Sequence, residues 1–416
     1  MNDEPISIPI ERYIAIDAHK HYVMVGGLNA RQETVLPVRR VDMENYPKWA
    51  KANLRPGDAV VIEATTNTWT LYDVTLPYVS KVVVAHPVEV KQIANARVKT
   101  DKHDVNCLAR LLVADLVPEV WVPPREVREL RTLIAHRRRQ VKMLTMTHNR
   151  LHSVVHRNNL VPPEGGFFAD KNRSWWESLT LSPVEKLQVR QDLAMLDHLE
   201  PQIAEVNQEL ARLSTTPPWS GHTPYLVQLP GFGLINAMTV ISAIGDITRF
   251  PTSKKLVGYS GLGGSVHDSG QTHFTGHITK QGRKELRWTL VEAAWVAVEH
   301  HPFWKQEFRK LTHRMKSNKA IVAIARKLLV VIWHVMTERV ADRKADPNMV
   351  AFKLMVWSWK LNNLQRGGLT TRQFVRYQLM QLKLGEELTC IRRAHPKSIA
   401  SVEEILALKP ELRPTA

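Results

Sequence analysis

The sequence predicts an α/β domain at the N-terminus, followed by a longer and mainly helical region. In the first third of the chain, short apolar runs alternate with helical patterns. Two later segments carry apolar residues at the alternating three- and four-residue spacing of a heptad seam. At 416 residues the chain exceeds one ordinary core, so several domains are expected. The predicted divisions are an α/β domain, a helical arm, a third domain and a helical extension, at residues 12–120, 121–215, 216–340 and 341–416.

The N-terminal domain is predicted to contain a sheet of mixed direction. The predicted strands are 13–16, 22–28, 33–36, 59–62 and 82–85. The second and third form a hairpin around the turn 29–31, which Pro37 is expected to close. The predicted helices lie near 43–53, 68–79, 88–96 and 101–116. Sheets of this kind carry their functional sites at strand ends.

Four acidic residues occupy the ends of these predicted elements. Asp17 follows the first strand in YIAIDAHK, and Glu63 follows the fourth in VVIEATTN. Asp101 and Asp104 open a helix in KTDKHDVNCLAR, three residues apart and therefore on one face. Hard oxygen ligands suit Mg²⁺ or Mn²⁺ and do not suit zinc. Taken singly, each acid could be a turn, surface or helix-terminal charge; together they favour a metal site.

After Pro123-Pro124 the pattern predicts one long helix to about residue 158, and a second long helix follows. Each carries a heptad seam, and Arg137 and His148 fall in the gaps of the first. The seam residues are Leu130, Ile134, Val141, Leu144, Leu151 and Val155, then Leu196, Leu199, Ile203, Val206, Leu210 and Leu213. The pair predicts a coiled-coil hairpin, a candidate dimerisation element, or two ordinary packed helices.

Three segments are candidate nucleic-acid contacts, and the first and third of them are basic. The helix 125–150, with Arg137, Arg138 and Arg139, is either a phosphate-tracking face or a solvated one. In LVQLPGFGLINA, the residues Pro230, Gly231 and Gly233 predict a phosphate-binding helix-hairpin-helix turn or an ordinary Pro-Gly turn. The glycine-rich stretch 258–282 is predicted to be a basic DNA-binding loop, with His277, Lys280 and the adjacent Arg283 among its cations. In the block 261–290, the hydroxyls of Ser265, Ser269, Thr272, Thr275 and Thr279 do not by themselves identify a nucleophile.

Composition narrows the class of protein further. A net charge of +17 is typical of nucleic-acid-binding proteins. Two cysteines without a CxxC pair argue against a zinc site or a disulfide framework and fit a reducing cytoplasm. The N-terminus lacks the pattern of a signal peptide. The apolar run 320–336 contains Arg326 and Lys327, which favours a buried helix over a membrane crossing.

These motifs, in this order, resemble a known family. The segments AIDAHK, VIEAT, KTDKHDVNCLARL, LPGFG and GLGGSVHDSG…GHITKQGRKELRWTL are similar to those of DEDD transposases of the insertion-sequence-110 family. These are recombinases guided by a bridge RNA and related to Piv/MooV invertases. The resemblance covers residues 12–337. It implies a RuvC-like, ribonuclease-H-type N-terminal domain, a coiled-coil connection and a mainly helical C-terminal transposase domain.

The resemblance also implies roles for particular residues and partners. Asp17, Glu63, Asp101 and Asp104 match the acidic tetrad that binds Mg²⁺, and Ser269 in DSG matches the serine that attacks the DNA phosphate. The implied partners are DNA (element ends and target) and a structured non-coding guide RNA, in the bacterial cytoplasm at the nucleoid. The implied assembly is a homo-oligomer, a dimer or a dimer of dimers, whose active sites combine domains of different subunits.

Two other functions are open, and the chain departs from the family in two places. The alternatives are a metal-dependent nuclease, junction resolvase or invertase that needs no RNA guide, and a non-catalytic nucleic-acid-binding protein. Gly263-Gly264 stands where the family usually has a proline, which puts the approach to Ser269 in question. Residues beyond about 340 exceed the compact members of the family, and no motif in them indicates a role.

Overall fold

The structure is a computed structural model that describes residues 9–93, 100–270 and 272–410. The chain divides into two compact units, Met1–Pro123 and Pro124–Ala416. The division of the chain into four domains stays a prediction.

The first unit contains a five-stranded sheet with the order β3-β2-β1-β4-β5. Its strands are β1 (Arg12–Ala18), β2 (Tyr22–Leu28), β3 (Thr34–Asp42), β4 (Asp58–Glu63) and β5 (Lys81–Ala85). The pairs β1–β2 and β2–β3 are antiparallel, whereas β1–β4 and β4–β5 are parallel. The predicted α/β domain with a sheet of mixed direction is confirmed.

Helices cover both faces of this sheet. They are α1 (Tyr46–Asn53), α2 (Thr68–Thr75), α3 (Pro87–Ile93) and α4 (Asp101–Val113). Tyr46 of α1 and Leu71 of α2 pack in one core with Ile14 and Ile16 of β1. The apolar residues of α4 pack in a second core, which includes Ala15 of β1. Neighbouring strand residues point to opposite faces, so α4 covers the face opposite α1 and α2.

Several element bounds in the first unit differ from the predictions. Strand β3 continues past Pro37 to Asp42, because Pro37 lies on an edge strand at an irregularity opposite Gly26 and needs no ladder hydrogen bond there. Helix α1 begins at Tyr46, after the turn 43–45. Helix α2 ends at Thr75 and passes into a 3₁₀ turn at Pro77, whose ring disrupts the α-helix. Helix α4 ends at Val113, and residues 94–96 of the predicted helix 88–96 lie outside the described residues.

The second unit begins with two long antiparallel helices. They are α5 (Arg125–Arg157) and α7 (Pro183–Ser214), joined through the short α6 (Arg173–Ser178). Seam residues such as Leu130, Leu151 and Leu199 are buried, whereas Val141 and Leu144 are half-buried. The middle of the contact is polar, with a 3.2 Å hydrogen bond from Gln140 to Gln202. The two predicted helices are therefore packed against each other.

The next part of the second unit is a helical core that carries one hairpin. Its elements are α8 (Thr223–Val227), α9 (Leu234–Ile244), α10 (Ser253–Ser260), β6 (Gly264–Ser269), β7 (Thr272–Ile278), α11 (Lys284–His300), α12 (Pro302–Thr312) and α13 (Ser317–Glu338). The prediction of an irregular loop over 258–282 is wrong, because β6 and β7 form an antiparallel pair. These strands are rich in polar residues, so they lack the alternating apolar pattern that would have indicated them.

Helix α13 is the one helix in the described part of the chain that is long and apolar enough to cross a membrane. Its buried residues include Ala320, Ile324, Leu328 and Ile332, which pack in the core of the second unit. On the opposite side Lys327 forms an ion pair with Glu307 of α12. These contacts are those of a core helix, as the two central cations indicated.

The last 70 or so described residues pack onto this helical core. They form α14 (Pro347–Ser358), α15 (Thr371–Gln381), the short strands β8 (Cys390–Ile391) and β9 (Lys397–Ser398), and α16 (Val402–Leu408). Trp357 donates a 2.9 Å hydrogen bond to Ser214. The backbone N–H of Asp342 donates to the Gln228 side chain at 3.0 Å. The extension is thus structurally integrated with the second unit.

Candidate functional site

Strands β1 and β4 place two of the predicted acids at one edge of the sheet. The strands are parallel neighbours, and the last pair in their register is Ile16 with Ile62. Asp17 and Glu63 follow this pair directly. Ala15 and Val61, two residues earlier, belong to the core under α4. Because side chains alternate along a strand, Asp17 and Glu63 lie on the face that α4 covers.

Helix α4 brings the other two acids to the same face. Thr100 caps the helix by accepting a 3.3 Å hydrogen bond from the backbone N–H of His103. Asp101 and Asp104 lie in the first turn. They precede Val105 and Leu108 by four residues each, and both of those residues are buried against the sheet. Four residues make about one helical turn, so both carboxylates lie on the sheet side of α4.

A compact group of potential metal ligands forms where these elements meet. His19 Nε2 lies 3.3 Å from an Asp17 carboxylate oxygen and 3.5 Å from one of Asp101. Tyr22 donates a 3.3 Å hydrogen bond to Asp101, and its ring stacks on that of His19. Asp17, His19 and Asp101 each offer a ligand atom within 4.8 Å of the others. We call these three residues the acidic cluster.

The other two predicted ligands, Glu63 and Asp104, lie outside the acidic cluster. Asp104 is near enough for its charge to raise the pKa of Asp17. Glu63 ends the neighbouring strand, but its carboxylate is not part of the trio. His19 and Tyr22 were not predicted as site residues. Their signals are the spacing DAH, which puts His19 two residues after Asp17, and the position of Tyr22 at the start of the antiparallel neighbour strand.

The environment of Asp17 opposes its negative charge. Burial raises the pKa of Asp17, Asp101 and Asp104 raise it further, and His19 lowers it. A bound cation would relieve both the desolvation and the repulsion. Ligand atoms of an octahedral Mg²⁺ ion are about 3 Å apart when adjacent and about 4.2 Å apart when opposite, and the 3.3 and 3.5 Å distances from His19 to Asp17 and Asp101 lie within this range. The mainly carboxylate donor set therefore fits a small, hard divalent cation.

Ser269 is the last residue of β6 and lies beside the hairpin turn. Its backbone pairs with Thr272, and Gly270 in the turn has a φ of +56°. The Ser269 side chain lies outside the described part of the structure. Asp268 before it and Phe274 on β7 are exposed. The predicted nucleophile is thus placed near the tip of a surface hairpin.

The three predicted cations His277, Lys280 and Arg283 lie along the second strand of the β6–β7 hairpin and at the base of the hairpin. His277 is on β7 and is exposed. Lys280 is exposed and has a φ of +56°, and its backbone N–H donates a 3.1 Å hydrogen bond to Gly261. Arg283 precedes α11 and donates a 3.2 Å hydrogen bond to the Tyr259 hydroxyl. His277 and Lys280 are accessible to a ligand, and Arg283 also helps to hold the base of the hairpin.

Sequence reasoning missed a cluster of arginines at the end of α9. Arg131 donates to the carbonyls of Ser242 and Ala243 at 2.7 and 3.0 Å. Arg249 donates to the next carbonyl in the helix, and Tyr259 donates to that of Ala243 at 3.0 Å. The cations thus complement the negative end of the helix dipole. Burial would raise the pKa of Tyr259, but Arg283, Arg131 and Arg249 together lower it.

The three consecutive arginines of α5 have different surroundings. Arg137 is half-buried and donates a 2.6 Å hydrogen bond to Asn207 of α7. Arg138 forms an ion pair with Glu285 at 2.6 Å. Arg139 is exposed. Of the three, Arg139 is the side chain that a nucleic acid can reach without breaking one of these contacts.

The LPGFG segment forms a tight turn between α8 and α9. Gly231 has a φ of +79°, and a Cβ there would lie 2.2 Å from the Ala293 carbonyl oxygen of α11. A glycine is therefore required at this position. Pro230 and Phe232 are buried. Gly233 is the N-cap of α9 and has open space beside its Cα.

Two family models match different regions of the chain, and both describe IS110-type transposases. A family model described as a transposase, of the DEDD type found in IS110 elements, matches residues 14–159. A second model, the transposase IS116/IS110/IS902 family, matches residues 224–310. The chain belongs to the IS110 transposase family. The predicted resemblance is confirmed, and the chain is a DNA-processing enzyme of the transposase and recombinase class.

Curated relatives agree with this membership. The chain is 24% identical to the transposase for insertion sequence element IS1111A of Coxiella burnetii, over 79% of this chain and 90% of the relative. It is 27% identical to the pilin gene-inverting protein of Moraxella bovis, over 67% of this chain and 80% of the relative. The pilin gene-inverting protein of Moraxella lacunata is also 27% identical, again over 67% of this chain and 80% of the relative. The first family match contains the four predicted acids, and the second contains Ser269.

Proposed function

We propose that this IS110-family transposase cuts and rejoins the strands of its insertion sequence with a divalent ion and a serine nucleophile. Asp17, Glu63, Asp101 and Asp104 would hold the ion, and Ser269 would attack the DNA. The observation that carries the proposal is the acidic cluster. Asp17 and Asp101, far apart in sequence, meet at the edge where the parallel strands end. A structural role alone gives no reason to gather like charges there.

The first unit supports a RuvC-like, ribonuclease-H-type domain. It has a five-stranded mixed sheet covered by helices on both faces. Its acids lie at one edge of that sheet, on the side of α4. Binding of an ion would require Glu63 and Asp104 to turn toward Asp17 and Asp101. Both lie on the same face and need no change of the backbone fold for this.

The chemistry assigned to Ser269 conserves the bond energy of the DNA. Its Oγ forms a bond to the phosphorus and loses its proton to solvent, while the bond from phosphorus to a deoxyribose oxygen breaks and that oxygen is protonated. Attack by the freed hydroxyl of another strand reverses the exchange and restores Ser269. A divalent ion at the acids would activate the nucleophile and neutralise charge on the phosphoryl group. The cations His277, Lys280 and Arg283 would bind phosphates beside Ser269.

Metal binding tests the acidic site. Isothermal titration with Mn²⁺ should give saturable binding to the wild-type protein and a large loss of affinity for Asp101→Ala with Asp104→Ala. Exposed Asp42→Ala with Glu44→Ala is the matched control and should bind as the wild type does. Equal binding by all three proteins would remove the metal site from the proposal.

A covalent intermediate tests the nucleophile. A DNA substrate nicked near the exchange point should trap a protein–DNA adduct on a denaturing gel, and peptide mapping should place it on Ser269. The adduct should disappear in Ser269→Ala and in the Asp101→Ala, Asp104→Ala protein. Cleavage by Ser269→Ala at the wild-type rate, with a hydrolysed product, would instead favour a nuclease or junction resolvase.

The proposed partners include a structured guide RNA besides DNA. The net charge of +17 and the exposed face of α5 around Arg139 support an extended polyanion contact. Sequencing of RNA that co-purifies with the protein should enrich a non-coding transcript from beside its gene. Bulk cellular RNA alone would argue for the second candidate, an invertase without a guide, which the similarity to pilin gene-inverting proteins favours.

A further inference from the structure

We infer that the C-terminal extension completes a binding site for a nucleic-acid backbone phosphate at the LPGFG turn, with Lys353 and Arg393 as its cations. The site is a cavity of about 510 Å³ in the second unit. Its lining includes Gly231 and Gly233 of the turn, His300 of α11, and Phe352, Lys353 and Arg393 of the extension. We call it the turn pocket.

The extension reaches the turn through a defined set of contacts. Lys353 of α14 donates a hydrogen bond from its ammonium group to the carbonyl of Leu229, which directly precedes Pro230. Asn348 exchanges two hydrogen bonds with the backbone of Arg392, at 2.6 and 3.2 Å. The next residue, Arg393, places its guanidinium over the Phe352 ring at 3.8 Å from the centroid. These contacts hold both cations at the mouth of the turn.

The turn pocket has an excess of positive charge. Lys353 of α14 and Arg393, between β8 and β9, line it together with His300 of α11, whose Nε2 lies 3.7 Å from the Glu299 carboxylate. In the described part of the chain, no carboxylate forms an ion pair with Lys353 or Arg393. Burial lowers the pKa of Lys353 to about 7. A phosphodiester in the pocket would supply the missing negative charge, and its two free oxygens can accept hydrogen bonds from both side chains.

The turn supplies a second type of phosphate ligand. Helix α9 begins after Gly233, so the N–H groups of its first turn have no carbonyl four residues earlier in the helix. Gly231 packs against Ala293, which fixes the turn, while Gly233 lines the pocket and has open space where a Cβ would lie. Backbone amides at a helix start bind phosphate without selecting a sequence. The pocket therefore suits the backbone of DNA or RNA.

This inference rests on the proposed function only for the kind of ligand, the nucleic acid on which the transposase acts. The test measures binding with a chelator present, so it is independent of the metal and of Ser269. The full-length protein is titrated with an arbitrary 30-base-pair DNA duplex and with a 30-nucleotide RNA hairpin, each over a range of salt concentrations.

The first comparison is between two double variants, one that loses two positive charges inside the turn pocket and one that loses two outside it. Lys353→Met with Arg393→Gln should weaken binding at least tenfold and lower the slope of log K against log salt by about 2. The control, Lys360→Met with Lys397→Gln, removes two exposed cations from the same extension and should weaken binding less than threefold. Equal losses in the two double variants would overturn the inference, because net charge alone would then explain them.

The second comparison does not depend on the buried lysine. Gly233→Asp puts a favoured N-cap residue in open space, so the fold should be retained, but its carboxylate should repel a phosphate. Its binding should weaken at least fivefold, with an unchanged melting temperature. Loss with the duplex alone assigns the pocket to DNA, and loss with the hairpin alone assigns it to RNA. Unchanged binding of both probes by Gly233→Asp would also overturn the inference.

Discussion

At the scale of single residues, the fold places the Asp17 carboxylate where its surroundings oppose the negative charge. Its side chain is 14% exposed and faces Asp101 across His19. Its raised pKa means that the folded protein binds this proton more tightly than the unfolded chain does. As pH rises through the interval between the unfolded and the folded pKa, the ionisation of Asp17 therefore lowers the stability of the metal-free protein.

Asp17→Asn should separate stability from metal binding. Without divalent ions at pH 7.5, the variant should melt at a temperature equal to or up to about 4 °C above the wild type, because a neutral amide avoids the buried charge. Added Mn²⁺ should raise the melting temperature of the wild type and leave that of the variant unchanged. Glu44→Gln, at an exposed position, is the control. A metal-induced shift in Asp17→Asn as large as in the wild type would contradict the assigned role.

The two glycines of the LPGFG turn should respond very differently to a methyl group. Gly231→Ala should lower the free energy of unfolding by about 3 kcal/mol, because its Cβ would collide with the Ala293 carbonyl and its φ is positive. Gly233→Ala should cost less than about 1 kcal/mol, since its Cβ meets open space. Urea unfolding of both variants is the measurement. Similar losses would show that the turn does not pack tightly on α11.

At the scale of elements, α5 combines a structural face and an exposed face. Arg131 caps the end of α9, and Arg137 bonds to α7. Arg139 is on the exposed side. A helix rich in arginine is therefore not a uniform binding surface. Which of its cations hold the fold depends on the partners that each turn of the helix meets.

Two substitutions in α5 should affect different properties, one the stability of the fold and the other the binding of DNA. Arg131→Met should lower the free energy of unfolding by about 2 kcal/mol, because the carbonyls at the end of α9 lose their donor. Arg139→Met should leave stability unchanged but weaken DNA binding and reduce the salt slope by about 1. Thermal melting and DNA titration of both variants are the measurements. A stable Arg131→Met protein would show that Arg249 and Tyr259 suffice to cap α9.

At the scale of the whole molecule, the chemistry is divided between the two compact units. The acids belong to the first unit, and the hairpin with Ser269 belongs to the second. The proposed reaction needs both. The homo-oligomer that the resemblance to the family implies would supply them from different subunits.

Mixing two inactive variants tests this arrangement. Ser269→Ala and the Asp101→Ala, Asp104→Ala protein should each form no adduct with the nicked DNA. After subunit exchange, a mixture of the two should recover part of the wild-type yield, because some active sites then combine an intact acid set with an intact serine. The control is each variant mixed with itself. A mixture that stays inactive although its subunits exchange would place the acids and the serine of each site in one subunit.

The sequence alone was enough to predict that Asp17 and Glu63 lie at the ends of β1 and β4 and that Asp101 and Asp104 open α4, whereas their role as metal ligands stays a prediction. Strands repeat every two residues and helices every 3.6, so the faces of β1, β4 and α4 can be inferred from local spacing. That reasoning placed Asp17, Glu63, Asp101 and Asp104 at one edge of a sheet. It failed for 264–278, because a polar hairpin has no apolar period and is held by cross-strand pairing.

Tertiary structure decided which side chains join these groups. His19 belongs to the acidic cluster and Tyr22 bonds to it because the turn between β1 and β2 brings both beside Asp101, 79 residues from Tyr22. Lys353 reaches the carbonyl of Leu229, the first residue of LPGFG, across 124 residues of sequence. Local spacing alone predicts neither the contact of Tyr22 with Asp101 nor that of Lys353 with Leu229, since both depend on how separate elements pack. Local spacing determined the residues that share a face, and packing determined the faces that share a site.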